Sequence, residues 1–430
     1  MARVGGSLAL LRDREFAALA GTAFARAQSY STILIALALY AELYDTVGVV
    51  EGLFGTAFAL AQLLVVLPLG RRLDVGDSKR YLLAGFAVNL LVFAGFVFVQ
   101  NPVHIVLVRV LQGLGASLLW VTGSTVVGEI APEDRRGQWL GSYNQFGSIS
   151  SLFGDVVGGY LLYAHGFTLT YAVLSGVTLV AFVLVWLYLR DNPGGRKDPA
   201  EAGGVETFRT LLRRPMVRAL VLFRFAFSVG KMAVIIFLPI YAKTAFGINA
   251  FAIGWIMAGG KLTKALTQGY VGDLTDRVGN RFWFVVVGAA LYGLGTALIP
   301  LAGYLEGTLP LLTLTVAGSL YTFTGPFLVL FGAYSVLGVA DSIRLPASMS
   351  LFVSEGEGHD AVASSLSLRS ISWKVGQVAG PVFVGAVKES VSAEVAFLTA
   401  AGFIVVATGV FAVAATVSTE RAGPAGAPGD

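Results

Sequence analysis

Twelve apolar runs divide this chain, each about the length a helix needs to cross a bilayer. They cover residues 16–41, 47–69, 81–100, 103–129, 138–163, 167–189, 217–243, 249–271, 282–303, 326–354, 363–387 and 393–416. None alternates apolar and polar positions with a period of two. Backbone in contact with lipid must satisfy its hydrogen bonds within helices or closed barrels, so the pattern predicts helices and no strands. One break between runs is both long and polar. Residues 190–216 carry Arg190, Arg196, Lys197, Arg209, Arg213 and Arg214 together with Pro and Gly. The spacing predicts an N-terminal six-helix bundle over 1–190, a linker over 191–216 and a C-terminal six-helix bundle over 217–416. The Gly-, Ala- and Pro-rich tail over 417–430 reads as disordered.

Composition agrees with this pattern. Hydrophobic residues make up 56% of the 430 and charged residues only 13%, where a soluble domain is nearer half and a quarter. The chain reads as an all-α integral membrane protein. Its net charge of +4 sits in loops and implies no nucleic-acid partner. The absence of Cys removes disulfides, thiolate metal sites and thiol catalysis. Arg3, Arg12 and Arg14 precede the first run, but an apolar stretch from Phe16 to Leu39 is too long for a signal peptide and predicts a retained helix. Positive charge gives the orientation. Arg71, Arg72, Lys79, Arg80, Arg135, Arg136, the linker, Arg277 and Arg281 fall on one side. The opposite loops carry Glu42, Asp45, Glu51, His104, His165, Lys243 and Glu306. The linker and both termini are expected in the cytoplasm, with the helices in a plasma or inner membrane.

Several motifs recur at informative places. In the second half Gly272 is followed by Asp276-Arg277, Gly279 and Arg281. A degraded copy runs from Gly70 through Asp74 to Arg80, with Val75 at the basic position and Gly76 arriving early. The fourth run contains Arg109, Gln112, Gly113 and Gly115 and ends on Glu129, with Pro132, Arg135, Arg136 and Gly137 after it. The fifth carries Gly147, Gly154-Asp155, Gly158 and Gly159, and the eleventh Gly380-Pro381 with Gly385. Together these residues resemble the motifs of the major facilitator superfamily of secondary transporters, in particular its drug:proton antiporter-like branch, over nearly the whole chain. The resemblance implies two pseudo-symmetric bundles that rock about a central site. It implies that Asp276 faces the start of the fifth helix and Asp74 that of the eleventh, where the helix dipole and free N–H groups favour a carboxylate. Gly272, Arg277, Gly279, Arg281 and Glu129 would complete this cytoplasmic latch, and Arg109 would take part in proton coupling. Asp155 stands where the antiporter motif carries Pro. Gly272 lies 202 residues after Gly70, but Pro326 lies 224 after Pro102. The surplus of about 22 residues is apolar and falls near 303–325. An extra crossing would invert everything downstream, so an external, membrane-embedded or interfacial insertion is expected.

Ionisable residues deep in apolar runs are costly and mark function by default. Arg109 lies roughly 9 Å below the outer end of its helix, and Asp155 sits at a similar depth. The match suggests an Arg109–Asp155 pair that is broken and reformed by protonation; a static pair, or an Arg109 that snorkels to the surface, is the structural alternative. Arg26 is buried in the first run, and Lys231, Lys261, Lys264, Arg344 and Lys374 in the second half face one clear acid, Asp341. Lys261 and Lys374 fall near mid-membrane, the depth of transporter binding sites. The resemblance adds that some anion-exchanging members use basic residues on these two helices. Candidate substrate ligands are therefore Lys261, Lys374, Arg26 and Lys231, with the amides Asn144, Gln145 and Gln377, because buried amides need partners. Candidate coupling residues are Asp155, Arg109 and Asp341. Neutralisation of the cations by Asp341 and backbone carbonyls is the structural alternative.

No enzyme motif competes. His104, His165 and His359 have no ligand-spaced companion, and Gly254 to Lys261 lacks the order of a phosphate-binding loop. The reading is a monomeric secondary transporter working by alternating access, with proton-coupled export of a small organic compound. Its expected partners are the substrate, protons and the lipid bilayer, with no cofactor or metal. One alternative is uptake or exchange of an organic anion through a cationic central site. Another is a transport-inactive sensor or scaffold with the same fold.

Overall fold

The structure is a computed structural model that describes residues 8–73, 77–191, 205–308, 311–316, 319–357 and 362–421. Helix starts follow from capping chemistry. Asp13 opens α1 (Arg14–Leu43) by accepting the Phe16 N–H at 3.0 Å. α2 (Gly48–Leu73) and α3 (Ser78–Val97) follow. Asn101 accepts the His104 N–H at 3.1 Å to open α4 (Pro102–Ile130), whose Pro102 sits where no N–H is needed. α5 (Arg136–Tyr188) breaks at Gly166, whose φ of 70° and ψ of −167° suit glycine alone, so it forms two membrane-length limbs. A short helix, α6 (Val205–Arg213), precedes α7 (Pro215–Phe246). α8 (Ala250–Val278), α9 (Arg281–Leu298), α10 (Gly325–Glu357), α11 (Val362–Ser390) and α12 (Ala393–Arg421) complete the second half. With the limbs of α5 counted separately, twelve membrane-length helical segments stand among the described residues.

Three expectations need correction. The apolar insertion is a β-hairpin: β1 (Leu312–Val316) pairs antiparallel with β2 (Ser319–Phe323), Leu312 opposite Phe323. Five residues span only about 17 Å, short of the bilayer core, and paired edges satisfy the backbone without a helix. The hairpin is anchored by Phe323, whose ring centroid lies 4.4 Å from that of Phe327 at the start of α10. The last helix continues to Arg421, beyond the 416 expected from hydropathy, because Thr416 to Arg421 contain no Pro or Gly to end it. The linker is not wholly irregular: α6 buries Leu211 against Val217 and Leu368.

The two ends of the molecule are closed differently. The end bearing the starts of α1 and α7 and the finish of α12 is here the terminal end, and the other the far end. At the far end the halves touch closely. A Cβ on Gly48 or Gly385 would strike the other's carbonyl, and one on Gly52 would strike that of Pro381. A Cβ on Gly159 would lie 2.7 Å from the Ala250 carbonyl, and one on Gly254 would collide with that of Asp155. α2 thus meets α11, and α5 meets α8, through small residues that allow backbone contact where lipid supplies no hydrophobic drive between helices. Ion pairs reinforce this contact: Glu42 reaches Lys243 at 2.9 Å, Glu51 pairs with Lys388, and the Val49 N–H donates to Glu389 at 3.0 Å.

At the terminal end, the ion pairs among the described residues stay within one half or join the linker to it. Lys79 binds Asp191 at 2.9 Å, and Arg214 binds Glu355 at 3.0 Å. Arg190 clamps Glu15, its Nε 2.8 Å from Oε1, and holds that carboxyl below its ordinary range. Asp74 and the side chain of Asp276 lie outside the described residues. Arg277 is exposed, Gly272 and Gly279 have open space around their α-carbons, and Arg281 donates to Ser354 of its own half at 3.5 Å.

The glycine contacts make the far-end seal sensitive to one methyl group. In this Cys-free chain, Gly254→Val is expected to hold α5 and α8 apart. A reporter Ile236→Cys, buried beside Gly55 in the seal, then reacts with a far-side thiol reagent about ten-fold faster, and equal reaction rates would show the seal does not depend on this contact.

Candidate functional site

Between the halves lies a cavity of about 660 Å³. Its lining runs from mid-membrane residues such as Tyr30 and Gln377 toward Val66, Ser124, Arg224 and Ser370 nearer the terminal end. With the far end sealed, the cavity therefore faces the terminal end. α1 contributes Arg26, α7 contributes Arg224 and Lys231, and α8 contributes Lys264. α10 adds Arg344 and α11 adds Arg369 and Lys374. Against these seven cations Asp341 is the one acid in the lining.

Five of the cations are held in place by rings, an amide and that single carboxylate. Asp341 pairs with Lys231 and accepts from Arg344 Nη2 at 2.9 Å. Lys374 donates to the Gln62 side-chain carbonyl and stands 5.7 Å from the centre of the Trp120 ring. Arg26 approaches the same ring from α1, its Cζ 5.0 Å from the centroid. Arg224 lies 4.4 Å over Trp373 and Arg344 3.8 Å over Phe227. Such ring contacts stabilise a desolvated cation by about 2 kcal/mol, less than full burial of a charge costs. Gln377 donates to the Met232 sulfur at 3.2 Å.

The structure separates residues that the sequence placed together. Arg109 and Asp155 do not meet. Arg109, fully buried, donates from Nε to the Phe54 carbonyl at 2.7 Å, reaches Gln112, and lies 4.4 Å over Phe58. Asp155 instead pairs with Lys261 of the other half at 2.5 Å. Lys261 also donates to Ser31 Oγ at 2.8 Å and to the Ser151 carbonyl at 3.3 Å. Equal depth predicted one pair, but rotation about each helix axis decides which neighbour a side chain faces. Lys261 is thus part of the seal and not of the cavity lining. Asn144 is exposed, and neither it nor Gln145 lines the cavity, since α5 turns other faces inward at that level. The candidate substrate ligands Arg26, Lys231, Lys374 and Gln377 line the cavity, and so does the candidate coupling residue Asp341. Arg224, Arg369 and Gln62 were missed. Counting every Lys and Arg inside an apolar run, whatever its depth, would have found the first two.

Comparison with known proteins follows from this architecture. A profile of the Major Facilitator Superfamily matches residues 19–313 and 220–429. An uncharacterized MFS-type transporter of Methanocaldococcus jannaschii, MJ1560, is 23% identical over 361 residues, which is 81% of this chain and 84% of that protein. A multi-drug resistance efflux pump PmrA homolog of Lactococcus lactis is 24% identical over 260 residues, 59% of this chain and 64% of that protein. Among solved structures, a bacterial homolog of the human lysosomal transporter Spinster, inward-facing and unoccupied, superposes with a TM-score of 0.75 at 16% identity, covering 96% of this chain and 98% of that one.

The cross-half pair is a measurable joint. Asp155→Asn leaves Lys261 without its carboxylate, and breaking a buried pair costs about 3 kcal/mol. The melting midpoint should fall for Asp155→Asn and for Lys261→Met, and the double variant should recover most of the loss. A double variant whose loss equals the sum of the singles would show that the two groups are not coupled.

Proposed function

The chain belongs to the major facilitator superfamily and is a multi-pass membrane transporter, and on that premise we propose that it moves organic anions by alternating access. The observation that carries this reading is the cavity with seven cations against one carboxylate. A cation or neutral drug gains nothing from that field, whereas an anion neutralises charges that the protein leaves only partly satisfied. The two six-helix bundles, residues 1–190 and 217 onward, rock about the cavity. The far-end joints Asp155–Lys261, Glu51–Lys388 and Glu42–Lys243 part as the cavity turns to the other side.

Orientation follows the distribution of Lys and Arg, which places the linker and both termini in the cytoplasm and the protein in a cell membrane. Export is the favoured direction, supported by the glycine-rich fifth and eleventh helices and by a relative named as a multi-drug resistance efflux pump homolog. A proton gradient is the energy source we favour. Asp155 and Asp341 are the coupling carboxylates, each facing a lysine across or beside the pathway. One chain encloses the whole cavity, so a monomer suffices.

Proteoliposomes holding the purified protein test this reading. Uptake of fluorescent organic anions is expected with an imposed pH gradient, and not of cationic dyes. Lys374→Gln removes one charge-assisted contact, worth about 2 kcal/mol, and should cut anion transport at low substrate roughly ten-fold or more. Transport of cationic dyes alone, unaffected by Lys374→Gln, would overturn the anion reading.

A further inference from the structure

Three arginines of the second half converge on one wall of the cavity. Arg224 comes from α7, Arg344 from α10 and Arg369 from α11. They are close enough for the charges of Arg344 and Arg369 to act on Arg224. Three like charges gathered in a low-dielectric wall repel one another, and such a cluster persists where an anion periodically neutralises it.

The edges of these guanidinium groups are unused. Nε and Nη1 of Arg224, Nε and Nη1 of Arg344, and Nε of Arg369 are buried without a hydrogen-bond partner. Arg224 is 6% exposed and Arg344 only 1%. Trp373 and Phe227 cover the flat faces of Arg224 and Arg344, and a ring face satisfies charge but accepts no in-plane N–H. Asp341 takes one Nη of Arg344 and is shared with Lys231, so it does not reach the remaining donors. Unpaired charged donors in a buried wall are among the costliest groups a protein can keep.

We infer that this wall is a subsite for a tetrahedral oxyanion, a phosphomonoester group on the transported compound. This deepens the anion reading above and rests on it. A carboxylate offers two oxygens and one charge, which matches a single guanidinium edge. A phosphomonoester offers three terminal oxygens and a charge of about −1.5 to −2 at neutral pH. It can engage three guanidinium forks at once and offset more of the excess positive charge. An entering phosphate meets the partly exposed Arg369 first, then Arg224, with Arg344 behind them. Lys374 and Arg26 around Trp120, on the opposite side, leave a separate place for the remainder of the molecule. The phosphate is carried either by a small water-soluble ester or by a lysolipid.

Calorimetric titration of the full-length protein in detergent tests the subsite. The probes are glycerol 3-phosphate, glycerate as its carboxylate counterpart, glycerophosphoglycerol as a singly charged diester, and 1-oleoyl-lysophosphatidate. Glycerol 3-phosphate is expected to bind roughly ten-fold or more tightly than glycerate and the diester. Arg224→Lys and Arg369→Lys keep the charge but lose the planar fork, and each should bring the phosphate-to-glycerate ratio to about one. A retained melting transition shows that each variant is folded. Binding of lysophosphatidate alone, with the same sensitivity to both lysine variants, supports the subsite with a lipid source. Equal affinity for phosphate and glycerate, or a preference that survives both variants, overturns the subsite and leaves anion transport standing. Failure of every anion to bind, with cationic dyes transported, overturns the anion reading itself.

Discussion

A charge within a membrane protein must find an opposite charge, a ring face or water, and the organisation of this transporter follows from how each charge meets that need. Carboxylates are scarce in the spans, so each decides where a lysine or arginine is quiet. Glu42, Glu51 and Asp155 of the first half each meet a lysine of the second at the far end. The acid lies on the same half in all three pairs. The far ends of the bundles are therefore complementary as bodies. In the cavity the balance is reversed. Asp341 serves two cations, and Arg26, Arg224 and Lys374 rest on aromatic rings or an amide.

The far-end pairs need close helices, and glycine supplies them. Gly48, Gly52 and Gly385 between α2 and α11, and Gly159 and Gly254 between α5 and α8, bring backbone against backbone. Asp155 illustrates how the two effects join. Its carbonyl rests against Gly254, while its carboxylate reaches Lys261 about two turns farther along the same face of α8. Packing and charge pairing thus report the same approach of the halves. Sealing the far end and presenting the cavity to the terminal end are two views of one arrangement.

Several features of the fold and site were readable from single residues. The apolar runs located the spans, and the paired glycine–aspartate–arginine loops pointed to two related halves. Arg26, Lys231, Lys374, Gln377 and Asp341 stood out as polar groups in apolar runs, and all line the cavity. The errors share a cause. Depth along a helix follows from residue number at 1.5 Å per step, but the direction a side chain faces depends on which neighbours the helix packs against. Arg109 and Asp155 match in depth and face different partners. Arg224 and Arg369 lie nearer the ends of their runs and were not singled out, yet the chain buries or half-buries both. The insertion at 303–325 read as an apolar segment without a defined form, because short strands and short buried helices share the same apolar signal.

The sequence by itself determined the membrane class, the positions of the apolar runs, the family motifs and an excess of buried positive charge. These depend on composition, periodicity and local spacing, which a linear chain displays directly. Only the tertiary structure decided how that excess is divided. It sends Lys261 to a joint between the halves and gathers Arg224, Arg344 and Arg369 on one wall. Those groups lie on α7, α10 and α11, as much as 145 positions apart in the chain. Their meeting is set by helix rotation and by small-residue contacts between distant segments, neither of which leaves a local pattern to read.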